Sequence, residues 1–95
     1  LLCKLKTWQT SDISIGPQYN GNIEMALKAI KAKTILMPCT HDLYFPPEDN
    51  AIEANYIGDA DFRPFNSPWG HCAANPGNDP DFTAALEQAI KELLE

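Results

Sequence analysis

Asp42 and His71 each stand just past a short segment with the character of a β-strand. The first segment is Thr34-Ile35-Leu36-Met37, followed by Pro38-Cys39-Thr40-His41-Asp42. The second is Phe62-Arg63-Pro64-Phe65-Asn66, followed by Ser67-Pro68-Trp69-Gly70-His71. An acid after one strand and a histidine after the next form the second half of a triad in chain order Ser…Asp…His. A carboxylate accepting the imidazole Nδ1–H fixes the tautomer and stabilises the imidazolium during proton transfer, leaving Nε2 to serve a nucleophile. Gly70 allows the backbone to turn tightly before the histidine, and Phe45 and Trp69 are candidates to wall the ring off from water. No G-x-S-x-G sequence occurs in the 95 residues, so a serine nucleophile of that kind is not among them.

The intervening pattern says how the two residues would meet. Residues 1 to 20 show weak periodicity and carry the turn signals Gly16-Pro17 and Tyr19-Asn20-Gly21, which predicts a loop-rich lead-in. Ile23, Leu27 and Ile30, with Ala26 beside them, predict a helix capped by Asn20 or Asn22, with Lys28, Lys31 and Lys33 at its negative end. Thr34 to Met37 is apolar without alternation, the pattern of a strand buried on both faces of a parallel sheet. Pro46-Pro47 opens a helix to about Ile57, with Gly58 at a left-handed C′ position. Asp61 to Asn66 is a second strand anchored by Phe62 and Phe65, at a sheet edge because Pro64 lacks a donor. Residues 67 to 78 are a loop. Asp79-Pro80 caps and opens a last helix with Phe82, Leu86, Ala89, Ile90 and Leu93 as its buried stripe.

Helix, strand, helix, strand, helix is the order of a doubly wound α/β layer with right-handed crossovers. In such sheets ligands bind outside the carboxyl ends of the strands, where Asp42 and His71 both fall. Two strands do not complete the sheet, so the chain alone should be marginal unless it oligomerises.

Other chemistries are weaker on spacing. Cys39, His41, His71 and Cys72 are zinc-ligand types but lack the usual C-x₂₋₄-C and H-x₃₋₅-H spacings, which argues against a metal site. Cys72 beside His71 is not a Cys-His pair by sequence adjacency alone, and Cys39 and Cys72 read as buried, inert packing. Ser67 reads as a turn former and His41 as a residue that orients the Asp42 loop or faces solvent. Trp8 and Trp69 read as packing, and Asp12, Glu48 and Asp49 as turn or helix-start charges.

Composition narrows the partners. With 44% hydrophobic residues the chain suits a single small globular unit rather than a disordered tail. Its 13 acidic and 7 basic residues give a formal charge of −6 with no basic cluster, so neither nucleic acid nor an anionic membrane is an expected partner. No apolar run approaches the roughly 20 residues of a membrane span. Three widely spaced cysteines argue against a disulfide framework and for a reducing cytoplasm. The chain opens at Leu1-Leu2-Cys3 without an initiator Met or a signal pattern, as expected of a trimmed chain or one read from inside a longer gene.

The run Thr40-His41-Asp42-Leu43-Tyr44-Phe45-Pro46-Pro47-Glu48, with Ser67-Pro68-Trp69-Gly70-His71, resembles the C-terminal part of the homoserine O-acetyltransferase family of α/β-hydrolases. Thr7-Trp8-Gln9-Thr10-Ser11-Asp12-Ile13-Ser14 and Ala26-Leu27-Lys28-Ala29-Ile30-Lys31-Ala32-Lys33 are similar too, so the resemblance covers nearly the whole chain. It implies the C-terminal portion of an α/β-hydrolase fold over residues 1–95: the last two strands of a mostly parallel sheet with flanking helices, led in by residues 1–20 from the lid region. It also implies that Asp42 is the triad acid and His71 the triad base. The full enzyme would pass an acyl group from a donor such as acetyl-CoA to a hydroxyl acceptor, or hydrolyse an ester, with no bound cofactor and with a homodimer as its possible assembly. The chain departs from the family after the base, where Cys72-Ala73-Ala74-Asn75-Pro76-Gly77 replaces Asp-Ala-Phe-Leu. A different class stays open: a non-catalytic interaction module, or a gene remnant, built on the same scaffold.

Overall fold

The computed structural model describes all residues from Leu1 to Glu95. Four helices, two strands and one 3₁₀ turn follow in the order α1 (Leu2–Thr10), α2 (Ile23–Lys28), β1 (Thr34–Leu36), α3 (Pro47–Tyr56), β2 (Ala60–Phe62), the 3₁₀ turn Gly70–Ala74 and α4 (Pro80–Leu94).

The two strands pair in parallel, Thr34 opposite Ala60 and Leu36 opposite Phe62. A bridge between Cys39 and Phe65 keeps the same offset beyond them. The ladder runs through Arg63 N–H to the Leu36 carbonyl (2.8 Å), Phe65 N–H to the Pro38 carbonyl (2.8 Å) and Thr40 N–H to the Phe65 carbonyl (2.9 Å). Pro38 has no N–H to return, which opens the gap between strand and bridge. Arg63 and Phe65 both donate toward β1, so Pro64 between them faces away from it, as the missing donor predicts. The register carries Cys39-Thr40 and Phe65-Asn66 side by side at the carboxyl ends, where Thr40 Oγ1 donates to Asn66 Oδ1 (3.0 Å).

The caps follow the sequence closely. Asn22 accepts from Met25 N–H at α2, and Asp79 accepts from Phe82 N–H at α4, with Pro47 and Pro80 in the first turns of α3 and α4. At the other end of α3 the structure corrects the expected left-handed glycine. Ile57 turns extended (φ −80°, ψ 123°), while the left-handed glycines are Gly16, Gly21, Gly70 and Gly77. Residues 57 to 59 still bend and turn into β2, but Gly58 makes that turn without a left-handed φ.

The lead-in also differs from expectation, because residues 2–10 form a helix. Leu1, Leu5 and Trp8 carry a faint helical spacing, and Thr7, Thr10 and Ser11 return their hydroxyls to carbonyls four residues back. No residue of α1 is buried. The long hydroxyl-rich, weakly amphipathic stretch reads as loop in sequence because it has no buried stripe to reveal it.

The core is small and lies beneath the strand ends: Cys39, Ala73 and Phe82, with Phe65 packed against them. Phe65 and Phe82 meet edge to face, their centroids 5.2 Å apart. Along α4 only Phe82 and Ala89 are buried, and Leu86, Ile90 and Leu93 of the expected stripe are exposed. Every β1 residue is half-buried rather than fully enclosed. A strand patterned for two neighbours has one here.

Candidate active site

Asp42 is held by its own loop. After the Cys39 bridge the chain turns, with Asp42 N–H donating to the Cys39 carbonyl (3.1 Å). The side chain then folds forward as an Asx turn, Oδ1 accepting from Tyr44 N–H (2.8 Å) and Phe45 N–H (3.0 Å). The residue is buried. The Phe45 N–H, then His71 and the Tyr44 N–H, hold its carboxyl below the ordinary aspartate range against the opposing pull of desolvation. With Oδ1 engaged by the backbone, Oδ2 points outward.

His71 meets it there. The Nδ1 atom lies 3.1 Å from Asp42 Oδ2. An ionised carboxylate only accepts, which assigns the proton to Nδ1 and leaves the Nε2 lone pair free. Tyr44 and Phe45 lie against the imidazole, with centroids at 4.8 and 5.4 Å, and Phe45 in turn meets Trp8 at 6.2 Å. Of the two rings expected beside the imidazole, Phe45 packs on it and Trp69 does not, Tyr44 taking that place. All three rings are exposed and His71 is 46% exposed, so the imidazole is not shut off from water. Tyr44 follows the acid by two residues, so the Asx turn that binds its N–H also sends its ring toward the base. That coupling is visible in sequence only once the turn is assumed.

The base loop is set by Gly70. It adopts φ +53°, and a Cβ there would lie 2.6 Å from the His41 carbonyl oxygen and 3.0 Å from its carbon. Glycine is thus required twice, by conformation and by the approach of the acid loop. His41 contributes this backbone contact. Its ring is exposed, beside Thr40 Oγ1 at 3.2 Å.

Behind the loop, Ser67 Oγ donates to Asp79 Oδ2 (2.5 Å) and accepts from Trp69 N–H (3.2 Å). Ser67 is thus the turn former its sequence suggests, but it is also fully buried and tied to α4. Hydrogen bonds from Ser67 and Phe82 N–H keep the Asp79 carboxyl below its ordinary range. Cys39 is buried packing as expected, its thiol pushed up by burial and by Asp42 and Asp79. Cys72 is exposed, contrary to the buried packing expected of it, because the 3₁₀ turn presents Ala73 inward instead. His41, His71 and the cysteines do not gather into a group of three or more side chains that could hold a metal ion.

Asp42 and His71 open on a recess of about 320 Å³ lined also by Met37, Phe45, Asn50 and Phe82. The His71 side chain is 46% exposed and lines the recess. A buried, ionised acid, a base of fixed tautomer and an apolar flank make a unit able to accept and return one proton. No helix of the chain is long and apolar enough to cross a membrane.

No family model matches the chain, and no solved structure does. Among curated proteins it is 36% identical over 94 residues to an ethyl acetate hydrolase of Pseudomonas veronii, a match covering 99% of this chain and 26% of that protein. It is 31% identical over 88 residues to a probable esterase of Corynebacterium glutamicum, covering 93% of the chain and 24% of the relative. The chain therefore resembles hydrolases of the esterase kind, and it spans about a quarter of the length of the curated relatives it matches.

Proposed function

We propose that Asp42 and His71 are the acid and base of a Ser-Asp-His triad in an esterase-type hydrolase, whose nucleophilic serine and oxyanion hole are supplied outside these residues. The observation that carries this reading is the 3.1 Å contact from His71 Nδ1 to Asp42 Oδ2, made by residues beyond adjacent parallel strands. In the reaction, Nε2 takes the serine proton as Oγ bonds to the ester carbonyl carbon and the π pair moves to oxygen. The tetrahedral intermediate collapses, the C–O bond to the alcohol breaks, and imidazolium returns the proton to the leaving oxygen. Water then repeats the cycle on the acyl-enzyme. Asp42 stays ionised throughout and supports the imidazolium.

Hydrolysis is preferred over acyl transfer from acetyl-CoA to a hydroxyl such as that of homoserine. Asp42 and His71 are the only ionisable side chains of the recess apart from the Cys39 thiol, so this part of the site offers no Lys or Arg to CoA phosphates or to an amino-acid carboxylate. The relatives' names point the same way. The test uses the full-length gene product carrying these residues, assayed with ethyl acetate and p-nitrophenyl acetate, and with acetyl-CoA plus homoserine. Ester hydrolysis abolished by His71→Ala is expected. Acetyl transfer without ester hydrolysis would replace the hydrolase by the transferase. No turnover of either kind would favour a non-catalytic module.

A further inference from the structure

We propose that the buried Ser67–Asp79 hydrogen bond is a positioning device for the base, tying the turn that carries His71 to the start of α4 so that Nδ1 stays on Asp42. This rests on the triad reading above and adds two residues to it.

Ser67 is 0% and Asp79 9% exposed. Capping α4 requires one oxygen, and Asp79 Oδ1 provides it to Phe82 N–H at 3.0 Å. Asparagine caps as well as aspartate and avoids burying a charge. The second oxygen, Oδ2, is spent on Ser67 Oγ at 2.5 Å. A carboxylate only accepts, so it fixes the direction of that bond: the single hydroxyl proton goes to Asp79, and a lone pair of Oγ faces Trp69 N–H.

Ser67 then closes the turn a second time, its carbonyl accepting from Gly70 N–H at 3.2 Å. Gly70 enters its left-handed conformation against the His41 carbonyl, and the next residue is His71. The base loop is thus clamped between the acid loop and the first turn of α4. The imidazole makes its hydrogen bond to Asp42 alone and is half exposed, so the backbone placement beneath it decides where the ring sits.

Asp79→Asn in the full-length gene product isolates the link from the cap. Oδ1 still caps α4, but an amide N–H₂ replaces Oδ2, and the Ser67 hydroxyl loses its acceptor while facing two donors. The readouts are the ring-nitrogen NMR shifts of ¹⁵N-labelled His71, kcat and KM for p-nitrophenyl acetate, and the thermal melt. Wild type should show the Nδ1–H tautomer. Asp79→Asn and Ser67→Ala should mix the tautomers and lower kcat by about 10–100-fold, the scale of a small misplacement of a reacting group, with KM little changed. Ser67→Ala decides where Asp79→Asn does not fold. A wild-type tautomer and kcat in either folded variant would overturn the proposal. Asp42→Asn separates the two levels: if it too leaves the tautomer unchanged, the triad reading has failed, and if it alone shifts the tautomer, only the Ser67–Asp79 role has.

Discussion

Gly70 lies against the His41 carbonyl so closely that a Cβ would stand 2.6 Å from the oxygen. The loop bearing the base and the loop bearing the acid therefore touch through backbone, not only through the His71–Asp42 side chains. Gly70→Ala must leave a left-handed φ and push the two loops apart. It is expected to destabilise the fold by about 2 kcal/mol or more, from the conformation and strain together. On the hydrolase reading proposed above, it should also lower ester hydrolysis by the full-length gene product beyond what the remaining folded fraction explains. Thermal melts and active-fraction-corrected kcat check this, and a wild-type kcat would show the contact to be dispensable.

Asp42→Asn keeps Oδ1 for the Tyr44 and Phe45 N–H groups, so the Asx turn should survive. At His71, however, an N–H₂ replaces the acceptor and selects the wrong tautomer. If the proposed triad reading holds, a fall in kcat of roughly 10⁴ is expected in the full-length gene product, by analogy with the serine protease triad. A loss under tenfold would remove Asp42 from the role of triad acid.

Acid should weaken the fold through the same carboxyls. Asp42 and Asp79 both have folded-state pKa values below their unfolded ones, the first mainly through the Phe45 N–H and the second mainly through Ser67. The fold favours their ionised forms, so this stability is fully present above the unfolded value of ~3.9. It is lost as pH falls from there through the lower folded values. Melting temperatures measured from neutral pH down to about pH 3 should drop below pH ~4, and Asp79→Asn should flatten part of the drop. An equal drop in Asp42→Asn, Asp79→Asn and wild type would place the acid sensitivity elsewhere.

The thiols should divide by exposure. Cys3 and Cys72 are exposed, while Cys39 is buried with its thiol pushed up. Reaction of native protein with a thiol reagent followed by peptide mapping should label Cys3 and Cys72 quickly and Cys39 only on unfolding. Rapid labelling of Cys39 would mean that the core under the acid loop is open.

Arg63 bridges Asp61 at 2.7 Å and Glu92 at 2.5 Å, linking β2 to α4. All three side chains are a third or more exposed, so Arg63→Ala should cost little and its effect should shrink further in about 1 M salt. A large, salt-independent loss of melting temperature would show the link to be a structural anchor.

What the sequence by itself determined was local. Asn22, one of two residues read as a cap, and Asp79 stand at helix starts, and Pro47 and Pro80 lie in first turns. Pro64, read as the mark of an edge strand, lies just beyond β2 with its missing donor turned from β1. Each works through neighbouring backbone, so a few residues suffice to read it. The offset of Asp42 and His71 behind two strands was likewise legible, because parallel pairing fixes which strand ends lie together. Tertiary structure alone decided the rest. Gly58 looked like a left-handed stop, but the chain turns there into β2 with Gly58 outside the left-handed region. Helix α1 hid because nothing in this chain buries it, and the α4 stripe read as core although Leu86, Ile90 and Leu93 find no cover here. The contacts around the His71–Asp42 pair join residues of different loops and elements: Tyr44 to the ring, Gly70 to His41, and Ser67 to Asp79. No periodicity or propensity encodes such pairs: the first two exist only after β1 and β2 have brought their loops to the same edge, and the third only after α4 has packed against the loop that follows β2.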